Sequence, residues 1–272
     1  MKRFIAITCA ILMMVLCFAG CTAKNGTEES SKAAQTDSEY VKAQGKLIVG
    51  ITDFEPMDYK DKDGNWIGFD ADMGREFGKY LGVSEVEFIE IDWDNKILEL
   101  NNKNIDCVWN GMTLTDEVLS SMACSKAYCN NAQVVVVNKD VADKYQSVEA
   151  CKELSFAVEN GSAGMKEAEA NGFKNTPVAT QADALMEVAS GTADAAIIDS
   201  LMAAAMVGEG TGYEKLTYTI GLNSEKYGAG FRQGSDLAEK LNEFLAKAYA
   251  DGTTMKIAEK YGVQASIIDP NA

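Results

Sequence analysis

The sequence contains no histidine among its 272 residues. Serine–histidine and cysteine–histidine catalysis are therefore excluded, and a zinc or iron site would lack its commonest nitrogen ligand. Proline is also scarce, with three residues in the whole chain. Because Pro56, Pro177 and Pro270 fall at expected ends of elements, long uninterrupted helices and strands can form. From these absences we expect neither a metal site nor a cofactor.

Positive charge is in short supply. The chain has 25 Lys and Arg against 41 Asp and Glu, which gives a formal net charge of −16 and a pI near 4.5. Nucleic acids and anionic membrane surfaces repel such a protein, so we expect neither as a partner.

The sequence has no apolar run long enough for a comfortable membrane span. The run at residues 4–18 is shorter than the roughly 20 residues that a spanning helix needs, and it follows a basic start. It ends in "FAGC", which resembles a bacterial lipobox with cleavage before Cys21. We predict a signal peptide at 1–20 and fatty acylation of Cys21. An ordinary signal peptide with a chance cysteine is the alternative.

Residues 21–45 are polar and have hardly any large apolar side chains, which predicts a flexible tether. Beyond Cys21, four cysteines remain, with no metal-binding or C-x-x-C spacing. Cys107 lies in an apolar strand pattern typical of a small buried hydrophobic residue. The sequence leaves open whether any two of the four form a disulfide; they are Cys107, Cys124, Cys129 and Cys151.

Alternating strand and helix patterns begin at "KLIVGI". The strands "VEFIEI" and "IDCVWN" follow, separated by the helical patterns "DADMGREFGKYLG" and "DNKILELNN". In the first helix, Met73, Phe77, Tyr80 and Leu81 share one face. The pattern recurs with "AQVVVV", "LSFAV" and "ADAAIID". We therefore predict an α/β fold of two doubly wound lobes.

The stretch "WNGMTLTDEV" at 109–118 reads as a strand end, a tight turn at Asn110-Gly111 and a helix capped by Thr115. Such a geometry leaves backbone N–H groups free for an anion. Ligands of doubly wound sheets bind beyond the carboxyl ends of the strands, so segments such as "TDFEPMDY", "DWDN" and "ENGSAG" become candidate binding loops.

These segments, in this order, resemble the family 3 solute-binding proteins of ABC importers for amino acids. The motifs that carry the resemblance lie within residues 46–262 and are "GNWIGFDADMGREFGKYLGV", "IDCVWNGMTLTDE", "YGAGFRQGSDL" and "ADGTTMKIAEKYG". The family's fold implies a discontinuous first lobe at 46–132 plus 223–272 and a second lobe at 133–222. Crossing segments near 131–138 and 217–231 would form a two-segment hinge.

The resemblance implies an extracytoplasmic binding lipoprotein, not an enzyme. It would capture an amino acid or an amine-bearing analogue between its lobes and deliver it to an ABC permease. We expect a monomer held to the outer face of a bacterial cell membrane by its lipid. Two alternatives remain: a ligand-sensing subunit for a membrane receptor, and a dehydratase on the same fold.

The resemblance also implies a ligand site. Gly111 and Thr113 would contact the ligand's α-carboxylate, and Asp199 its α-ammonium. The full set of expected ligand-binding residues is Asp53, Phe54, Glu55, Trp93, Asn110, Gly111, Met112, Thr113, Glu159, Gly161, Ser162, Ala163 and Asp199.

The sequence departs from the family at Val118, where an arginine usually clamps the carboxylate. With that cation missing, the carboxylates of Glu159, Asp199 and one of Asp53 or Glu55 predict a ligand that brings positive charge. In the alternative interpretation, Glu159 points to solvent and Lys126 or Arg232 replaces the clamp.

Overall fold

The computed structural model of the protein describes residues 35–271. The predicted signal peptide, the predicted acylation site Cys21 and residues 22–34 of the predicted tether lie outside the described residues. Within 35–271, no helix combines the length and the apolar character that crossing a membrane requires.

The described chain alternates helices and strands. The α-helices are α1 (Asp37–Gln44), α2 (Phe69–Leu81), α3 (Lys96–Asn101), α4 (Asp116–Ser121), α5 (Val148–Cys151), α6 (Ala163–Ala170), α7 (Gln181–Ser190), α8 (Ser200–Met206), α9 (Leu237–Ala250) and α10 (Thr253–Tyr261). The 3₁₀-helices are Trp93–Asn95, Lys139–Lys144 and Gln264–Ser266. The strands are β1 (Lys46–Ile51), β2 (Tyr59–Lys60), β3 (Trp66–Ile67), β4 (Glu85–Glu90), β5 (Cys107–Thr113), β6 (Ala123–Cys124), β7 (Cys129–Asn131), β8 (Gln133–Asn138), β9 (Ser155–Glu159), β10 (Lys174–Val178), β11 (Ala195–Asp199), β12 (Leu216–Gly221) and β13 (Glu225–Phe231).

Two larger sheets organise these elements. The first has the strand order β4-β1-β5-β13-β6, with β7 also pairing with β13. The second has the order β10-β9-β11-β8-β12. The strands joined by helices, namely β1, β4 and β5 in the first sheet and β9, β10 and β11 in the second, pair in parallel. The predicted doubly wound α/β fold class is confirmed.

The chain passes between the sheets twice. It leaves β7 at Asn131 and enters β8 at Gln133, and it returns from Gly221 in β12 to Glu225 in β13. The strands at these crossings pair antiparallel, β8 with β11 and β13 with β5. They need no crossover helix, which explains the mixed character of both sheets.

Helix α2 follows its sequence pattern closely. Met73, Phe77 and Leu81 are buried in the core of the first sheet, and Gly82 ends the helix in the left-handed conformation. Tyr80 differs from the prediction, since 39% of it is exposed. Its ring stacks on Phe77 while its hydroxyl donates to Glu243 at 3.0 Å, so the polar tip draws the side chain toward water.

Helix α1 was not predicted from the sequence. Residues 37–44, assigned to the tether, form a helix with a capping box between Thr36 and Glu39. Val41 is fully buried, and Asp37 accepts a hydrogen bond from Arg232 at 3.0 Å. The predicted tether therefore extends too far, because its last residues belong to the folded body.

Candidate functional site

A cavity lies between the two sheets, at the ends of β5, β9 and β11 and at the loops after β1 and β4. About 440 Å³ of space lies between its walls, including space that is open to solvent. The predicted site residues that the structure brings together around it are Phe54, Trp93, Asn110, Gly111, Met112, Thr113, Glu159, Gly161, Ser162, Ala163 and Asp199.

Two predicted site residues do not line this cavity. Asp53 is exposed and Glu55 is half-buried, whereas Phe54 between them is buried and reaches the cavity. Successive side chains of an extended segment point in opposite directions, so placing Phe54 inside turns its two neighbours outward. The third cavity carboxylate expected from the sequence is therefore absent from the lining.

The prediction of a turn at Asn110-Gly111 is wrong. Strand β5 continues to Thr113, and its last residues pair with Gly228 and Tyr227 of β13. Gly111 adopts φ +56° within the strand, and its N–H donates to Asp70 Oδ2 at 2.7 Å. This N–H is therefore already engaged by a carboxylate of the protein, in contrast to the free donor that the sequence suggested.

Gly111 also lines the cavity, next to Phe54. A Cβ atom at this position would lie 2.4 Å from Phe54 Cε1 and 3.2 Å from Tyr227 Cε2. Only glycine fits this close approach together with a positive φ. The two rings meet edge to face, with their centroids 6.2 Å apart.

Thr115 caps α4, as predicted, because its Oγ1 accepts from Val118 N–H at 3.3 Å. Thr113 Oγ1 instead donates to Glu225 Oε1 at 3.0 Å. Helix α4 has six residues. So short a helix contributes little dipole, and the stabilisation of an anion at its start needs a further group.

Asp199 lies in a dense set of donors at the end of β11. Its carboxylate accepts from Gln133 at 3.0 Å, from Tyr227 at 2.5 Å, and from Asn131 and Gln181. Burial and the nearby carboxylate of Glu225 raise the pKa of Asp199 well above its usual range, against the lowering effect of these donors. The donors fix the carboxylate in one orientation at the cavity wall.

Glu159 is buried at the end of β9 with 2% exposure, so the alternative in which it points to solvent is wrong. Its Oε1 has no hydrogen-bond partner among the described residues. Burial raises the pKa of Glu159 to about 8, while Lys96 and hydrogen bonds from Gln181 and Thr52 oppose that shift. A buried acceptor with an unused oxygen is ready to receive a donor from a bound molecule.

Lys96 and Lys166 also line the cavity, and neither was expected there from the sequence. Lys96 is 8% exposed, and its Nζ donates to Trp93 O at 3.0 Å and to Gly161 O at 3.2 Å. Burial lowers the pKa of Lys96, and Glu117 opposes that shift. Lys166 forms an ion pair with Glu117. A signal existed in the sequence, because Lys96 lies three residues after Trp93 at the start of a helix that follows a strand.

The substitutes considered for the missing arginine lie elsewhere. Arg232 forms ion pairs with Asp37 and Asp106, each at 3.0 Å, and donates to Ile105 O at 2.8 Å. Lys126 is exposed, and neither residue lines the cavity. Val118 does line it, so an apolar side chain occupies the wall where the family resemblance predicts the clamp.

Contacts between the two sheets' loops close the cleft over this cavity. Lys166, in α6, reaches Glu117 in α4, and Lys96 in α3 reaches the backbone of Gly161. A Cβ atom on Gly161 would lie 2.6 Å from Asp94 Oδ1 and 2.8 Å from Asp94 Cα. The absence of a side chain at Gly161 therefore permits the close approach of the loops.

Comparison with known proteins matches residues 47–264 to the family model of bacterial extracellular solute-binding proteins, family 3. The arginine-binding extracellular protein ArtP of Bacillus subtilis is 27% identical over 274 residues, which cover 96% of this chain and 98% of that protein. The L-cystine-binding protein TcyA of the same organism is 30% identical over 256 residues, covering 92% and 94%.

Solved structures show the same architecture. A mutant of the arginine-binding protein ArgBP from T. maritima has a TM-score of 0.77 and 32% identity, and the match covers 83% of this chain and 98% of that one. The ancestral amino acid-binding protein AncCDT-1, a precursor of cyclohexadienyl dehydratase, has a TM-score of 0.75 and 33% identity, with coverage of 82% and 98%.

Proposed function

Because the chain belongs to the bacterial extracellular solute-binding proteins of family 3, we propose that it captures a cationic amino acid, or an amine-bearing analogue, in the cavity between its sheets and delivers it to an ABC permease. The observation that carries the proposal is Glu159, a buried carboxyl group at the cavity wall whose Oε1 has no partner among the described residues. A ligand ammonium or guanidinium group would supply the missing donor and would favour the ionised form of this carboxyl group.

The proposed site has a separate carboxyl group for each of the ligand's two cationic groups. Asp199, held by its donors, would bind the α-ammonium, and Glu159 would bind the side-chain cation. Phe54 and Trp93 line the same cavity. The Phe54 ring can add cation–π attraction of about 0.5–2 kcal/mol, whereas the Trp93 ring already has Lys96 Nζ 4.9 Å from its centroid. The arginine-binding relatives support this ligand class, whereas the cystine-binding relative keeps a zwitterionic amino acid in the test panel.

Calorimetry on ligand-stripped protein tests the ligand class. The panel contains arginine, lysine, ornithine, histidine, glutamine, cystine, glutamate and simple amines. We expect the cationic compounds to bind tightest. Glu159→Gln should weaken the binding of cationic compounds more than it weakens the binding of glutamine. Tight binding of glutamate or cystine, with no cationic compound active, would contradict the proposal.

We propose that the protein works as two lobes, 46–132 plus 223–272 and 133–222, which close about crossing segments near 131–138 and 217–231. The two passages of the chain between the sheets support this division. Small-angle scattering should show a smaller radius of gyration when a binding compound from the panel is added. Tight binding without compaction would count against a closing hinge.

The lipid anchor is a separate part of the proposal. Cleavage before Cys21 and acylation would hold the protein at the extracytoplasmic face of the membrane, beside its permease. Metabolic labelling with a fatty acid tests this, and Cys21→Ser should abolish the label. Labelling that persists in the variant would show that Cys21 is not the acylated residue.

A dehydratase is a second candidate, favoured by one observation. Glu159 is a buried carboxyl group whose pKa is raised to about 8, which is the property of a general acid. Against it, the cavity-lining residues include no arginine to hold an acidic cyclic substrate. Incubation with prephenate decides the matter, since turnover that Glu159→Gln abolishes would establish the enzyme.

A receptor-associated sensing role remains the third candidate. Deletion of a neighbouring permease gene should abolish uptake of the bound amino acid if the protein serves import, and should leave uptake unchanged if it serves only sensing.

A further inference from the structure

Lys96 is a buried cation that the roles assigned so far do not use. It is the first residue of α3, immediately after the 3₁₀ turn Trp93–Asn95, and its side chain lines the cavity. Thr115 and the apolar Val118 line the same cavity.

The donors of Lys96 are not exhausted by the protein. A lysine ammonium carries three N–H donors. Two of them have backbone acceptors, Trp93 O at 3.0 Å and Gly161 O at 3.2 Å. The Trp93 ring centroid lies 4.9 Å from Nζ, within the range of a cation–π contact. One donor remains for a molecule in the cavity.

The charge of Lys96 is not balanced by a direct counterion. Among residues 35–271, no carboxylate lies within 4.0 Å of its Nζ, whereas the neighbouring Lys166 is paired with Glu117. A buried ammonium without a counterion is costly, because burial removes its hydration. The arrangement is stabilised when a bound molecule brings an anionic group to this position.

We propose that Lys96 binds the carboxylate of the amino-acid ligand. It would replace the arginine that the family usually has at the position of Val118. This inference rests on the proposed function, since it assigns the ligand group that Glu159 and Asp199 cannot bind. The carboxylate would lie between Lys96 and the loop at Gly161–Ala163. The amino groups would point to Asp199 and Glu159, which line the same cavity.

The test separates carboxylate recognition from closure of the cleft. Calorimetry would compare four amino acids with their decarboxylated amines: arginine with agmatine, lysine with cadaverine, histidine with histamine, and glutamine with 4-aminobutanamide. Each pair is measured on the wild type and on Lys96→Met, which keeps the length of the side chain and removes the charge. Thermal unfolding confirms that the variant is folded.

If Lys96 binds the carboxylate, Lys96→Met weakens the binding of the preferred amino acid about 10- to 100-fold, which corresponds to the loss of one charge-assisted contact. The affinity for the decarboxylated amine stays nearly unchanged. If Lys96 only joins the two sides of the cleft through Gly161, the variant weakens both members of the pair equally, and the proposal is overturned. Retention of full amino-acid affinity in a folded variant would overturn it as well.

Restoring a cation provides the second comparison. Placing arginine at the family's position, in the double variant Lys96→Met with Val118→Arg, should recover amino-acid affinity and leave the amine unchanged. No recovery would contradict the location of the carboxylate. If glutamine binds tighter than the three cationic amino acids, the cationic preference fails, while the glutamine pair still decides the role of Lys96.

Discussion

Gly111 carries two constraints at once, a positive φ and the contact with Phe54. Gly111→Ala should lower the free energy of unfolding by about 2–4 kcal/mol, because left-handed backbone strain adds to overpacking against the ring. It should also weaken ligand binding by displacing Phe54 from the cavity. Chemical denaturation and calorimetry measure the two effects.

Gly191→Ala is the matched control for this variant. Gly191 has φ +80°, and a Cβ added there would meet no atom within 4 Å, so it reports the backbone strain alone. We expect it to cost about 1 kcal/mol and to leave binding unchanged. Equal costs for both variants would show that the contact with Phe54 imposes no further constraint.

Glu159 gives a pH-dependent prediction. Its folded pKa of about 8 lies above the ordinary value of 4.5, so the folded state holds a proton that the unfolded state has released. Its contribution to stability is full below pH 4.5 and is lost as the pH rises to 8, at up to about 1.4 kcal/mol per pH unit. Glu159→Gln cannot titrate at this position, so its stability should increase relative to that of the wild type as the pH rises.

The measurement is the difference in melting temperature between Glu159→Gln and the wild type from about pH 5 to about pH 8.5, without ligand. Other buried carboxyl groups titrate in the same window, among them Asp70 with a pKa raised to about 7. Asp70 cancels in the difference, whereas Asp199, whose pKa Glu159 helps to raise, titrates at lower pH in Glu159→Gln and adds to the relative gain of the variant at high pH. A difference that is constant with pH would mean that Glu159 is ionised throughout.

Among the elements, α1 shows how little apolar surface is needed to dock a short helix. Val41 is its buried apolar residue, and Asp37 and Ser38 attach it to Arg232 and Asp236. Val41→Ala should lower the free energy of unfolding by about 2 kcal/mol, since it removes buried methyl groups from a closed core.

The exposed Gln44 on the same helix provides the control, and Gln44→Ala should be neutral within about 0.5 kcal/mol. Denaturation of protein that begins at residue 35 or earlier measures both variants. If Val41→Ala is as neutral as Gln44→Ala, residues 37–44 contribute nothing to the fold and belong with the tether after all.

At the scale of the whole molecule, Gly161 lies at a close contact between the two sides of the cleft, next to Asp94. Gly161→Ala should prevent full closure, because its Cβ would lie 2.8 Å from the backbone Cα of Asp94. We expect at least a tenfold loss of affinity and a radius of gyration that no longer falls on addition of the amino acid. Small-angle scattering and calorimetry measure these quantities.

The control lies at the other end of α6. Gly172 has φ +70° and open space around it, so Gly172→Ala reproduces the backbone strain without the clash across the cleft. It should bind and compact like the wild type. Compaction of Gly161→Ala to the wild-type value would show that the loops can yield and that this contact does not limit closure.

The family and the fold class could both be predicted from the sequence, and both are confirmed. This succeeded because apolar periodicity is local, as in α2, whose predicted apolar face is buried apart from Tyr80. Motifs such as "NGMTLT" also mark strand ends, and strand ends converge in this type of sheet. The lining positions of Phe54, Trp93, Glu159 and Asp199 follow from that convergence.

Which charges meet in the cavity depends on the tertiary structure. The sequence places Lys96 in a helix but does not show that its side chain lines the cavity. It also suggested Arg232 as a substitute for the carboxylate-binding arginine, a role that the ion pairs of Arg232 with Asp37 and Asp106 preclude. It missed α1 because one buried valine leaves almost no periodic signal. It also read Asn110-Gly111 as a turn, because local propensity cannot register the pairing of β5 with the distant β13. Burial and partners depend on contacts between residues far apart in the chain, and these arise only when the two sheets assemble.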